Sequence, residues 1–169
     1  MGGIDGIDDG GLVNGVGEND DEQPYPFDVS ELLTFVNRAW TDKQFNGENG
    51  KPFYYGTLSA ERTAQLQNDV NKPLQGKIKL CLEAKEVRHI LGGHGNPRTE
   101  AARGQSAVTP IDFAIALYAI ENGTLVEEKV KASGMTGLRF EIGTPPASYV
   151  VEISARGNEF FLKTIYKKI

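Results

Sequence analysis

The sequence predicts an α+β fold, with N-terminal helices packed on a four- to five-stranded antiparallel sheet. Three observations predict it. Helical spacing of apolar residues dominates residues 28–121. Alternation with period two takes over from residue 124. The later strands are separated by gaps short enough for hairpins, which favours an antiparallel meander.

Three segments follow from composition. Residues 1–27 form a leader of glycine, aspartate and asparagine with seven acids and no base. Such a stretch buries too little apolar surface to offset its ordering entropy, so disorder is expected. The calcium-loop spacing D-x-D-x-D-G is absent from it. Residues 28–75 read as a helical N-terminal segment and residues 76–169 as the sheet-bearing body.

In the helical segment, Asp28 caps a helix from about Val29 to Trp40, with Leu32, Leu33, Phe35, Val36 and Trp40 as its stripe. Residues 43–51 are Gly/Asn-rich and loop-like. Phe53-Tyr54-Tyr55 is short and extended. Ser59 caps a second helix to about Val70, with Ala64, Leu66 and Val70 to pack, and Pro73 ends it.

The body opens on GKIKLCLE at 76–83, a half-buried strand with Ile78, Leu80 and Leu82 on one face. A helix is expected from Ala84 to Leu91, striped by Val87, Ile90 and Leu91. Gly92-Gly93 are expected to stop it, with His94 in the turn beyond and a loop through Gln105. Residues 108–121 make the clearest helix: Thr109 caps it, Pro110 opens it, and Asp112 completes a capping box. Strands are expected at about 124–131, 137–142, 148–154 and 158–166. In the last of them Phe160, Leu162, Thr164 and Tyr166 share a face.

Charge is unevenly placed. Residues 1–50 hold eleven acidic and two basic side chains, residues 51–169 twelve and sixteen. The body is mildly basic, which suits an anionic partner but also serves solubility. One further reading makes the leader an intramolecular nucleic-acid mimic that shields the basic face. A single cysteine, Cys81, excludes an internal disulfide. No apolar run approaches the roughly 20 residues of a membrane span, so no membrane partner is expected.

Residues 86–105 carry the chemistry. Both histidines of the chain, His89 and His94, lie here, followed by Glu100 and Arg103. His89 stands about 200° from Val87 at ~100° per residue, away from the apolar stripe. The two histidines are five apart rather than the four that suits zinc on one helix face, so no metal is expected. Gly92-Gly93-His94-Gly95 follows a helix rather than a strand, unlike a phosphate loop. Cleavage of RNA by its own 2′-hydroxyl needs a base, an acid and cations on the phosphate. His89, His94, Glu100 and Arg103 supply that set of groups, with each proton-transfer group worth roughly 10²–10⁴-fold. Which residue is acid and which is base stays open.

RHILGGHG at 88–95, E-x-x-RGQ at 100–105, TPID at 109–112, VVEIS at 150–154 and FFLKTIYK at 160–167 resemble, in order and spacing, the phage-associated branch of the barnase/EndoU/colicin/RelE-like (BECR) nucleases. The resemblance covers residues 76–169. It implies a BECR-like fold and a metal-independent endoribonuclease without a cofactor, encoded by a phage or prophage as a toxin or effector. It carries His89, His94, Glu100, Arg103, Lys163 and Thr164 over as catalytic residues, and Arg88, Gln105 and Glu152 as substrate-binding ones. Lys163 is freer than Thr164 to reach a phosphate, Gln105 is expected to fix the loop, and Glu152 to pair with Arg103 or Lys163. RNA is the implied substrate, and an immunity protein or a phage structural protein the implied partner. The bacterial cytoplasm or the virion is the implied location. The alternative is a catalytically inactive RNA- or protein-binding domain of a phage particle.

Overall fold

The structure, a computed structural model, describes residues 27–74, 76–144 and 148–169. The leader expected at 1–27 lies outside them except for Phe27, whose ring packs edge-on against Tyr55 at 5.2 Å and Phe53 at 6.3 Å. The fold is α+β. Its helices are α1 (Val29–Thr41), α2 (Ala60–Asp69), α3 (Ala84–His94), α4 (Pro97–Ala102) and α5 (Ile115–Asn122), the last entered through a 3-10 segment at Pro110–Ala114. Its strands are β1 (Phe53–Thr57), β2 (Lys79–Leu82), β3 (Gln105–Ser106), β4 (Thr124–Val130), β5 (Thr136–Ile142), β6 (Ser148–Arg156) and β7 (Glu159–Lys168).

All seven described strands join one mostly antiparallel sheet, in the order β1-β2-β7-β6-β5-β4, with β3 beside the far end of β7. The expected meander is the part from β4 to β7. The expectation of four to five strands is exceeded because β1, β2 and β3 also add to it, and β2 pairs with β7 in parallel. That pairing is long-range in sequence, and alternation cannot reveal a partner.

One core serves the described chain. Leu32, Phe35 and Val36 of α1, Leu66 of α2, Val87 and Ile90 of α3 and Leu117 and Ile120 of α5 meet Leu80, Leu138, Phe140, Val151, Ile153, Phe160, Leu162 and Ile165 of the sheet. Segments on both sides of residue 75 therefore share it. Asp28 caps α1 by accepting from the Ser30 and Glu31 N–H groups. Trp40, expected in the stripe, is exposed at its margin.

Two corrections concern the segment around the histidines. Helix α3 runs through Gly92 and Gly93 to His94. Each helical glycine costs about 1 kcal/mol relative to alanine, and the buried Val87, Ile90 and Leu91 offset it. The helix stops at Gly95, where a Cβ would come within 2.4 Å of the Leu91 carbonyl oxygen. The expected loop then contains α4. Asn96 caps it by accepting from Arg98 and Thr99 N–H, and Pro97 takes its first position.

A bulge in β7 makes the third correction. Glu152 faces Thr164 and Ile153 faces Leu162, so Lys163 is the extra residue. The alternation resets there. Phe160, Leu162 and Ile165 enter the core, and Thr164 and Tyr166 turn to the other face of the sheet instead of sharing that of Leu162.

Asp112 has more than a capping role. It is buried, and accepts from the Thr109 N–H at 2.7 Å and the Tyr149 hydroxyl at 2.8 Å, while Lys167 Nζ lies 2.8 Å away. Burial by itself would raise this carboxyl. The hydrogen bonds from Lys167, the Thr109 backbone and Tyr149 outweigh it and hold the group below the usual carboxylate range. A carboxylate lowered in the folded state contributes stability above its unfolded pKa, near ~3.9, and loses it as pH falls through the folded value. The difference in urea midpoint between wild type and Asp112→Asn is therefore expected to hold steady above about pH 5 and to shrink below about pH 4. A difference unchanged at pH 2 would remove the carboxylate from the account.

Candidate active site

His94 ends α3, Glu100 lies in α4, and Arg103 caps α4. The short turn at Gly95-Asn96 folds α4 back so that the three side chains meet. Glu100 Oε1 lies 2.9 Å from His94 Nδ1, and Arg103 Nη1 donates to Glu100 Oε2 at 2.6 Å. Glu100 is 0 % exposed, His94 20 % and Arg103 48 %. A fully buried carboxylate is costly unless paired, and here both oxygens are engaged. Arg103 Nη1 also donates to the Gly93 carbonyl at 3.0 Å, which ties α4 to the end of α3.

The imidazole is held from one further side and the His94 backbone from another. Its ring stacks on Tyr166 of β7, centroids 5.6 Å apart and planes 25° apart. The His94 carbonyl accepts from the Val108 N–H at 2.7 Å. With Nδ1–H donating to Glu100, the neutral ring carries its lone pair on Nε2. This is a histidine fixed in orientation and tautomer, with an arginine beside it whose Nε and Nη2 make no hydrogen bond among the described residues.

The other candidates are placed differently. His89 is exposed on α3 and makes no hydrogen bond or ion pair among the described residues. It lies three positions from Glu86, on the adjoining strip of helix surface. Lys163 Nζ reaches Glu86 Oε2 at 2.7 Å, so the bulged residue ties β7 to α3. Thr164 lies on the Tyr166 face, opposite Glu152. Glu152 pairs with Arg139 Nε at 2.7 Å, correcting the expected pairing with Arg103 or Lys163. The neighbouring strand supplies Arg139 directly opposite. Arg88 reaches the end of α1. It donates to the Ala39 and Phe45 carbonyls at 2.9 and 3.2 Å, joining α3 to α1. It lies about 100° from His89 around α3. Gln105 pairs through its backbone with Lys168, and its buried Oε1 has no hydrogen-bond partner among the described residues.

Tyr166, Glu86 and Arg139 were not legible as site residues. Tyr166 reads as core until the bulge is known, and Glu86 and Arg139 take their partners from distant elements. Cys81 is buried, and burial first, then Glu159, push its thiol up to about 11. A thiol held protonated is a poor nucleophile. Among the described residues no three His, Cys, Asp or Glu side chains are grouped to hold a metal ion, and no helix is long and apolar enough to cross a membrane.

No protein-family model, characterised protein or solved structure matches this chain.

Proposed function

We propose that this chain is an endoribonuclease domain that cleaves RNA through attack of the 2′-hydroxyl on the adjacent phosphate, without a metal. The observation that carries the reading is the buried Glu100 holding His94 by Nδ1, beside a half-exposed Arg103. In this reading His94 Nε2 exchanges the proton of the reacting oxygen. Glu100 stabilises the imidazolium that results and fixes the ring. It is a positioning residue, since neither oxygen is left for substrate. Arg103 offers Nε and Nη2 to the phosphoryl oxygens. His89, five positions and about 140° from His94 around α3, is not gathered with these groups. The resemblance to BECR nucleases points to the ribonuclease reading, as does its implication of a phage or prophage origin.

One observation favours the alternative, a catalytically inactive RNA- or protein-binding domain. Lys163 and Arg103 are each already paired with a carboxylate, and such pairs also stabilise a fold that does no chemistry. Incubation of mixed tRNA, mRNA and rRNA in EDTA separates the readings. Cleavage that persists in EDTA and disappears in Arg103→Ala is expected. Cleavage stopped by EDTA would overturn the metal-free reaction, and intact RNA throughout would favour the binding domain.

A further inference from the structure

The face of the sheet that carries Tyr166 holds a second feature, away from His94. Cross-strand partners point to one face, and the register places three rows there. Tyr166, Val150 and Glu141 form the first; Thr164, Glu152, Arg139 and Glu127 the second; Phe161, Ser154, Gly137 and Lys129 the third. In the third row Gly137 has no side chain, and a hollow of about 230 Å³ opens over it. Four cations line it: Lys129, Lys131, Arg139 and Lys163. Arg139 is paired with Glu152 and Glu127, and Lys163 with Glu86. Lys129 and Lys131 are exposed, and neither side chain has an ion-pair partner among the described residues. With Glu86, which answers Lys163, counted beside Glu127 and Glu152, the four cations exceed the carboxylates by one.

We infer that this hollow is a phosphate subsite for single-stranded RNA, holding a nucleotide remote from the bond that His94 would act on. The inference rests on the ribonuclease reading for its choice of ligand. Tyr166, under His94, and Gly137 are two strands and four residues apart. That is on the order of 16 Å, so the phosphate held at Gly137 belongs to a different nucleotide from the one at His94. Lys129 and Lys131 neutralise it, Gly137 lets it approach the sheet, and the Arg139–Glu152 pair forms the wall between the two positions.

The test is binding of a fluorescent 2′-O-methyl RNA octamer, followed by anisotropy across a salt series. This oligonucleotide lacks the attacking hydroxyl, so the assay reads binding alone. The wild type is expected to bind, and Lys129→Ala/Lys131→Ala to bind roughly tenfold more weakly, with the log–log salt slope reduced by about 0.7 for the one phosphate no longer neutralised. Gly137→Leu fills the hollow and leaves the charge unchanged. The nearest atom to its Cβ is the flexible Lys131 Cε at 3.3 Å, which must shift by a few tenths of an ångström; with an unchanged melting temperature as the check on folding, a loss as large as that of the lysine variant is expected. Equal binding by wild type and either variant, or no binding by wild type, would overturn the subsite. Variant-sensitive binding without cleavage of ordinary RNA would sink the cleavage reading and leave the subsite standing. Cleavage with variant-insensitive binding would do the reverse.

Discussion

His94→Asn is expected to lower kcat for RNA cleavage roughly 10²–10⁴-fold, the usual worth of one positioned proton-transfer group. The choice of asparagine follows from the geometry. His94→Ala would leave the buried Glu100 Oε1 without a donor, a cost on the order of 1–3 kcal/mol that confuses activity with folding. An asparagine amide nitrogen occupies nearly the same position as Nδ1, so it keeps the bond to Glu100 and removes only the imidazole Nε2. Melting temperature is expected to stay within a few degrees of wild type. A folded His94→Asn that cleaves at the wild-type rate would move the chemistry away from this histidine altogether. Cleavage lost only in His94→Ala, with a large fall in melting temperature, would give His94 a structural role.

Glu100→Ala is expected to cause the largest loss of stability in the segment, about 3 kcal/mol. Its side chain is fully buried, and its removal strands the Nδ1–H of His94 and one nitrogen of Arg103. The loss stays at the low end for a broken buried pair because Arg103 is half-exposed and regains water. Glu100→Gln separates the two roles. The shape is kept, but the amide offers one acceptor where two donors compete, so either His94 or Arg103 is left facing an N–H. Stability should fall by about 1 kcal/mol, and kcat by roughly 10²-fold with KM little changed, as befits a residue that orients the reacting group. Urea denaturation and steady-state kinetics on the same preparations read both. A kcat unaffected by Glu100→Gln would show that orientation of His94 through this carboxylate does not matter to the reaction.

Much of the secondary structure was legible because its causes are local. Asp28, Ser59 and Pro110 announce helix starts through caps and a fixed φ, and the four later strands announce themselves by alternation. Asn96-Pro97 announces α4 in the same way, although a loop was expected there. The Gly92-Gly93 stop failed because apolar burial on α3 outweighs glycine's backbone entropy. The gathering of His94, Glu100 and Arg103 was suggested by their closeness in sequence, ten residues from first to last.

By itself, the sequence determined the α+β class, most element positions and the identity of the groups able to move protons and hold phosphate. Those depend on period, capping and side-chain chemistry, all readable within a few residues. Only the tertiary structure decided that Glu100 is sealed from solvent, that Tyr166 backs His94, that Lys163 answers to Glu86, and that Arg139 rather than Arg103 meets Glu152. The first follows from the turn at Gly95-Asn96 that folds α4 back, and the physical reason is common to the other three. Burial and ion pairing depend on strand register and on one bulge in β7, and a single-residue shift in register exchanges every side chain between the two faces of a sheet.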